Sequence, residues 1–127
     1  MNYPRGIVIP ALLVLLCACG EPAEQSSSDT TASSFPEFAD SGLQQGRSVW
    51  LGSCQVCHAT GLAGAPRIGN RDAWQARIAQ GKATLYQHAM NGFMGPAGTE
   101  MPARGGNDAL SDSEVKAAVD YMVAASQ

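Results

Sequence analysis

Residues 54–58 read Cys-Gln-Val-Cys-His, and no other stretch of the 127-residue chain limits its architecture as tightly. Two residues between the cysteines set both sulfurs on one short turn, with an imidazole delivered beside them. In an exported chain, C-x-x-C-H is the pattern of haem attachment. The thiols of Cys54 and Cys57 then become thioethers on the two vinyl groups, and His58 rises beneath the macrocycle as the proximal iron ligand. Two other readings of the same residues stay open. A disulfide or thioredoxin-like redox pair suits exported cysteines, although the βαβ setting of that fold is missing. A zinc site assembled from Cys54, Cys57, His58 and His88 would use awkwardly adjacent ligands at 57 and 58 and finds no second pair at zinc spacing.

Export is read from the other end of the chain. A single early basic residue, Arg5, precedes an apolar run over residues 6–18 that is too short for a spanning helix and is interrupted by Pro10. The run closes as Leu16-Cys17-Ala18-Cys19-Gly20. A small residue before a cysteine, with leucine upstream, resembles a bacterial lipoprotein cleavage site. Residues 1–18 are therefore expected to be a lipoprotein signal peptide and Cys19 the acylated residue, tethering the protein to a membrane without spanning it. Cys17 fits less well, since Leu16 would take the small-residue position. An ordinary cleaved signal peptide without lipid is the plainer alternative. Residues 19–35 are rich in Ser, Thr, Glu and Gln and cannot bury enough apolar surface to order themselves, so they read as a flexible tether. One domain, residues 36–127, remains.

Few aromatic and many small residues would give that domain a thin protein core, which calls for a staple such as a large apolar cofactor. Its charge is near neutral once Glu21, Glu24 and Asp29 are set aside, and nothing in it has the basic footprint of a nucleic-acid binder. Helical signals recur. Ser41 can cap a first helix whose Gly42, Gly46, Val49 and Trp50 share a face, with Gly46 allowing another helix to approach. A second runs from about Arg71 to Ala79 and stops at Gly81, and a third from about Ala83 to Asn91 and stops at Gly92. The last is marked by a Ser111/Glu114 capping box with Leu110 and Val115 as its hydrophobic staple, followed by a stripe of Val115, Ala118, Val119 and Met122. No segment alternates apolar and polar residues for long enough to predict a strand, so the fold class is all-α.

A sixth iron ligand would come from Met90, Met94, Met101, Met122 or His88. Met101 is favoured because it precedes Pro102 in the loop Gly95–Gly106, where the proline restrains it. Met94 in the same loop is the runner-up. Met90 and Met122 belong to helices, and His88 would make a bis-imidazole site of lower potential.

Taken together, Cys54-x-x-Cys57-His58, Met101-Pro102-x-Arg104-Gly105-Gly106, His58-Ala59-Thr60-Gly61, Gly64-Ala65-Pro66, Asn91-Gly92-Phe93 and Leu110-Ser111-Asp112 resemble the class I c-type cytochromes, and within them the cytochrome c5 family of small bacterial monohaem electron carriers. The resemblance covers roughly residues 40–125. It implies a small cytochrome c fold of four to five helices wrapped around one covalent haem c. It also implies that the Pro66 carbonyl accepts a hydrogen bond from His58, that Ile68 packs on the same haem face, and that Trp74 and Arg77 contact a haem propionate. The chain departs from some members in lacking a cysteine pair after the Met loop, where it has Gly105-Gly106-Asn107-Asp108.

With His58 and Met101 both on iron, no position is free for a substrate. The expectation is thus an electron carrier and not an enzyme, exchanging electrons with protein donors and acceptors of a respiratory chain on the periplasmic side of a bacterial membrane. It would be lipid-anchored there, or soluble if no lipid is attached. Two rivals remain at this stage: a haem enzyme or gas sensor with a labile sixth ligand, and a haem-free disulfide module using Cys54 and Cys57.

Overall fold

The computed structural model describes residues 34–96 and 98–127. The expected signal peptide, Cys19 and most of the tether lie outside these. Helix α1, Ser41–Val49, opens where the Asp40 carboxylate accepts the Leu43 amide at 2.9 Å. Asp40, in extended conformation, is thus the cap, and Ser41 is already the first helical residue. This corrects the assignment of the cap to Ser41: both types can cap, and backbone conformation decides between neighbours.

Helix α1 runs without interruption into a π-helical turn, Trp50–Cys54, and a single α-turn, α2, Gln55–His58. Helices α3, Arg71–Ile78, and α4, Lys82–Asn91, follow, with Asn70 capping α3 through the Ala73 amide. The final helix, α5, spans Asp112–Ala124 and starts with the full capping box, the Ser111 and Glu114 side chains each meeting the other's amide.

Two short segments that carry no strand signal pair nonetheless. Strand β1, Phe93–Met94, and strand β2, Glu100–Met101, form an antiparallel hairpin with Phe93 opposite Met101 and Met94 opposite Glu100. Strands of two residues are too short to show alternation, so composition could not reveal them. The domain is otherwise helical, as expected.

The core gathers where α1 crosses α5. A β-carbon built on Gly46 would lie 2.0 Å from the Ala117 carbonyl oxygen, so the backbones meet where only glycine fits. Around that crossing lie Trp50, Val115, Ala118, Val119, Tyr121, Met122 and Val123, with Leu85 and Ala89 of α4 and Trp74 of α3 closing the cluster. Leu110 packs against it from the loop before α5. Ahead of α1, the chain folds back on the crossing: the Phe35 ring meets Trp50 edge-on at 4.6 Å, and the Tyr121 hydroxyl donates to the Pro36 carbonyl at 2.9 Å. Phe35 was placed in the tether by composition, yet its ring joins the folded body.

Candidate haem site

The π-helical turn carries the chain from the α1/α5 crossing to Cys54, and α2 then sets Cys57 three residues on, one turn away on the same side. Single π-turns inside helices recur at functional sites. Both cysteines are half-buried free thiols. Burial, and secondarily the charge of Cys57, pushes the Cys54 thiol up to about 11. Val56 between them is exposed.

His58 ends α2 and is buried. Its Nδ1 lies 3.0 Å from the carbonyl oxygen of Pro66. A carbonyl only accepts, so Nδ1 carries the proton and Nε2 keeps its lone pair for a metal. The same strap is fastened twice more, by the Ile68 amide to the His58 carbonyl at 2.8 Å and by the Trp74 indole N–H to the Arg67 carbonyl at 2.9 Å. Burial lowers the His58 pKa below its ordinary value, outweighing the opposing effect of the Pro66 bond, and a nearby positive charge on Arg77 adds to the lowering. The neutral imidazole required of an iron ligand is therefore the favoured form.

Strand β2 presents Met101, half-buried, to an apolar cleft that it shares with Cys54. Ala89 of α4 and Leu110, Val119 and Met122 wall that cleft. A β-carbon on Gly92, whose φ is +84°, would come within 3.1 Å of the Met101 carbonyl, so the hairpin tucks under the end of α4 only because residue 92 is glycine.

Among the other soft donors, Met94 is 60% exposed, Met122 is packed in the α5 stripe, and Met90 leans on the core from α4. His88 stacks on Phe93 with ring centroids 4.1 Å apart. Ile68 packs against the core, and Trp74 is buried with its ring 6.3 Å from that of His58. Its indole N–H is taken by Arg67, and Arg77 bonds back to the Ala73 carbonyl within α3. Cys54 and Met101 thus meet in one cleft, while His58 stands outside its lining, in the pocket formed by the Pro66 strap and Trp74.

Sequence reading missed the residue that fastens the Met101 loop. Arg104 donates to the Leu110 carbonyl at 2.7 Å and to Asp112 at 2.6 Å, bridging the loop to the first turn of α5. It does so with φ at +53°, a conformation that costs a non-glycine residue about 1 kcal/mol or more and persists only where surrounding contacts hold it. Its neighbours Gly105 and Gly106 hint at a tight turn, but nothing in the spacing says what the guanidinium would reach.

Two thiols on one turn, a buried imidazole with its outer nitrogen bonded and its inner one free, and a thioether in an apolar cleft suit haem c. They do not suit a zinc site. Among the described residues no three His, Cys, Asp or Glu side chains gather to hold a metal, and Cys54 and Cys57 are not joined.

This helical fold, closed around a C-x-x-C-H turn, is that of the class I c-type cytochromes. Residues 41–122 match the family described as cytochrome c oxidase, cbb3-type, subunit III, and the chain belongs to that family of c-type cytochromes. It is similar to cytochrome c-555 of Chlorobaculum tepidum, 46% identical over 82 residues that cover 65% of this chain and 75% of that one. A second relative is cytochrome c5 of Azotobacter vinelandii, 34% identical over 83 residues covering 64% and 94%. Among solved structures, it resembles a chain in the crystal structure of an electron transfer complex of nitrite reductase with cytochrome c, with a TM-score of 0.58 and 37% identity over 65% of this chain and 95% of that one. The protein is accordingly a c5-like electron-carrying cytochrome with covalently bound haem c.

Proposed function

We propose that thioethers to Cys54 and Cys57 would hold the haem, with Nε2 of His58 and the sulfur of Met101 as the protein's iron ligands, in a domain that begins at Phe35, whose ring packs on Trp50, one residue before the expected start at 36. The bound group supplies a one-electron couple whose potential is raised by a methionine ligand. The protein's own part is to hold, orient and dry it. Pro66 fixes the His58 tautomer and makes the imidazole a better ligand, Gly92 lets the Met101 hairpin close, and the cleft walls keep water from the sulfur. Pro66 and Ile68 line the His58 side, and Trp74 and Arg77 stand nearest to where a propionate would need a cation or a donor.

The observation that carries this reading is the His58 Nδ1 to Pro66 bond, which leaves one nitrogen free for a metal. With both axial positions filled by the protein, the site offers no open coordination position, and the protein is a carrier, not an enzyme. Electrons leave by the edge near Val56 and Met94, both exposed, where a periplasmic redox protein docks through a small apolar contact. Acylated Cys19 and a tether that ends before Phe35 hold the domain to the periplasmic side of a bacterial membrane.

Visible spectroscopy and mass of the mature protein test the assignment together. One covalent haem and a weak red band in the ferric state are expected. Met101→Ala should abolish the band and lower the potential, and an unchanged spectrum would move the ligand to Met94 or His88. Cys19→Ser should release the protein from the membrane fraction. Retention would dismiss the lipid.

A further inference from the structure

The two loops that flank the haem site are joined directly to each other. Thr99, two residues before Met101, donates its hydroxyl to the Ala63 carbonyl at 2.6 Å, and Ala63 lies five residues after His58. Partners 36 residues apart in sequence meet there at the surface.

Both ends of this contact are prepared. On the methionine side, the Thr99 carbonyl accepts the Gly95 amide at 2.8 Å and the Gly98 amide returns to the Gly95 carbonyl at 2.9 Å, so the hairpin turn holds Thr99 at a set distance from Met101. On the histidine side, Ala63 sits at φ +52° within the 3₁₀ turn Leu62–Gly64, one of two non-glycine residues in the left-handed region among those described. A residue held in a costly conformation beside a site is a reason to ask what the surrounding contacts secure. Here the carbonyl of that residue is the acceptor. The next residue, Gly64, lies at φ +77°, and a β-carbon there would meet the Thr99 hydroxyl only in ordinary contact at 3.6 Å.

We propose that Thr99 is a positioning residue: its bond to Ala63 is a clasp that keeps the Met101 hairpin against the histidine-side loop independently of the iron–sulfur bond. The inference rests on the assignment of His58 and Met101 as axial ligands. When that bond opens, a clasped hairpin holds the sulfur at high effective concentration and it returns before a competitor settles. Without the clasp, the hairpin swings on its end at Gly92 and an outside ligand gains.

The test is imidazole titration of the ferric holoprotein, followed by loss of the red band. Thr99→Val keeps the shape and removes the donor, and should bind imidazole about fivefold more tightly, the factor that one hydrogen bond of ordinary net strength represents. Thr99→Ser restores the hydroxyl and should return the affinity to near that of the parent. Should Thr99→Val fail to accumulate, Thr99→Ala carries the same expectation. Equal affinity in Thr99→Val and the parent would overturn the clasp while leaving the ligand assignment intact. A parent with no red band would instead remove the Met101 assignment, and the clasp with it.

Discussion

Arg104 earns its awkward backbone through its side chain. The bond to the Leu110 carbonyl and the ion pair to Asp112 fix the segment after Met101, in the stretch where some c5 proteins carry a cysteine pair and this chain has glycines. Arg104→Gln removes the ion pair and the bond to the Leu110 carbonyl and should lower the midpoint of denaturant unfolding, with earlier loss of the red band on heating. The contact also carries a pH dependence of definite sign. The hydrogen bond from Arg104 holds the Asp112 carboxyl below its ordinary 3.8, and the bonds from Ser111 hold Glu114 below its ordinary 4.5. Groups whose folded pKa is depressed stabilise the fold above their ordinary values and lose that contribution as protons return. The thermal midpoint should therefore be level above about pH 4.5 with respect to these groups and fall below it, and Asp112→Asn should flatten part of that fall. At this scale the sequence was readable wherever chemistry is local: the C-x-x-C-H turn and the Met-Pro step announce themselves through neighbours. Arg104 and Thr99 do not, because their partners are fixed only once distant loops have been brought together.

Helix ends divide along the same line. The capping box before α5 is written in four consecutive residues and is present as read, and Ser111→Ala should cost about 1 kcal/mol, measured as a shift in the denaturation midpoint. The cap of α1 is different: Ser41 was the expected residue, and the extended conformation of Asp40 moves the cap one residue earlier. Neither the π-helical turn nor the two-residue strands leave a periodic trace, since each depends on what lies opposite. The α1/α5 crossing is different again: a lone glycine on an apolar face suggested close approach, and the structure supplies the surface it meets. Gly46→Ala pushes a methyl into the Ala117 carbonyl and should cost about 3 kcal/mol in denaturant unfolding.

For the molecule as a whole, composition implied a thin core, and among the described residues Trp50 and Tyr121 are the largest side chains fully shut from water. The cofactor is then part of the hydrophobic core as well as the redox centre. Cys54→Ala with Cys57→Ala, which prevents attachment, should leave a chain whose far-ultraviolet helical signal is largely lost at 25 °C. A fully helical product would show that the protein core suffices by itself. The all-α class was legible because helical periodicity and glycine stops recur along the domain. The hairpin that carries Met101 escaped notice because only the folded body pairs its strands.

The seating of Phe35 and Pro36 on Trp50 and Tyr121 has a mechanical meaning. Tension arriving along the chain from residues before 34 is taken up at the seam of the first and last helices, ahead of the thioether turn. A pull from that end therefore loads the helix crossing before it reaches the Cys54–His58 turn.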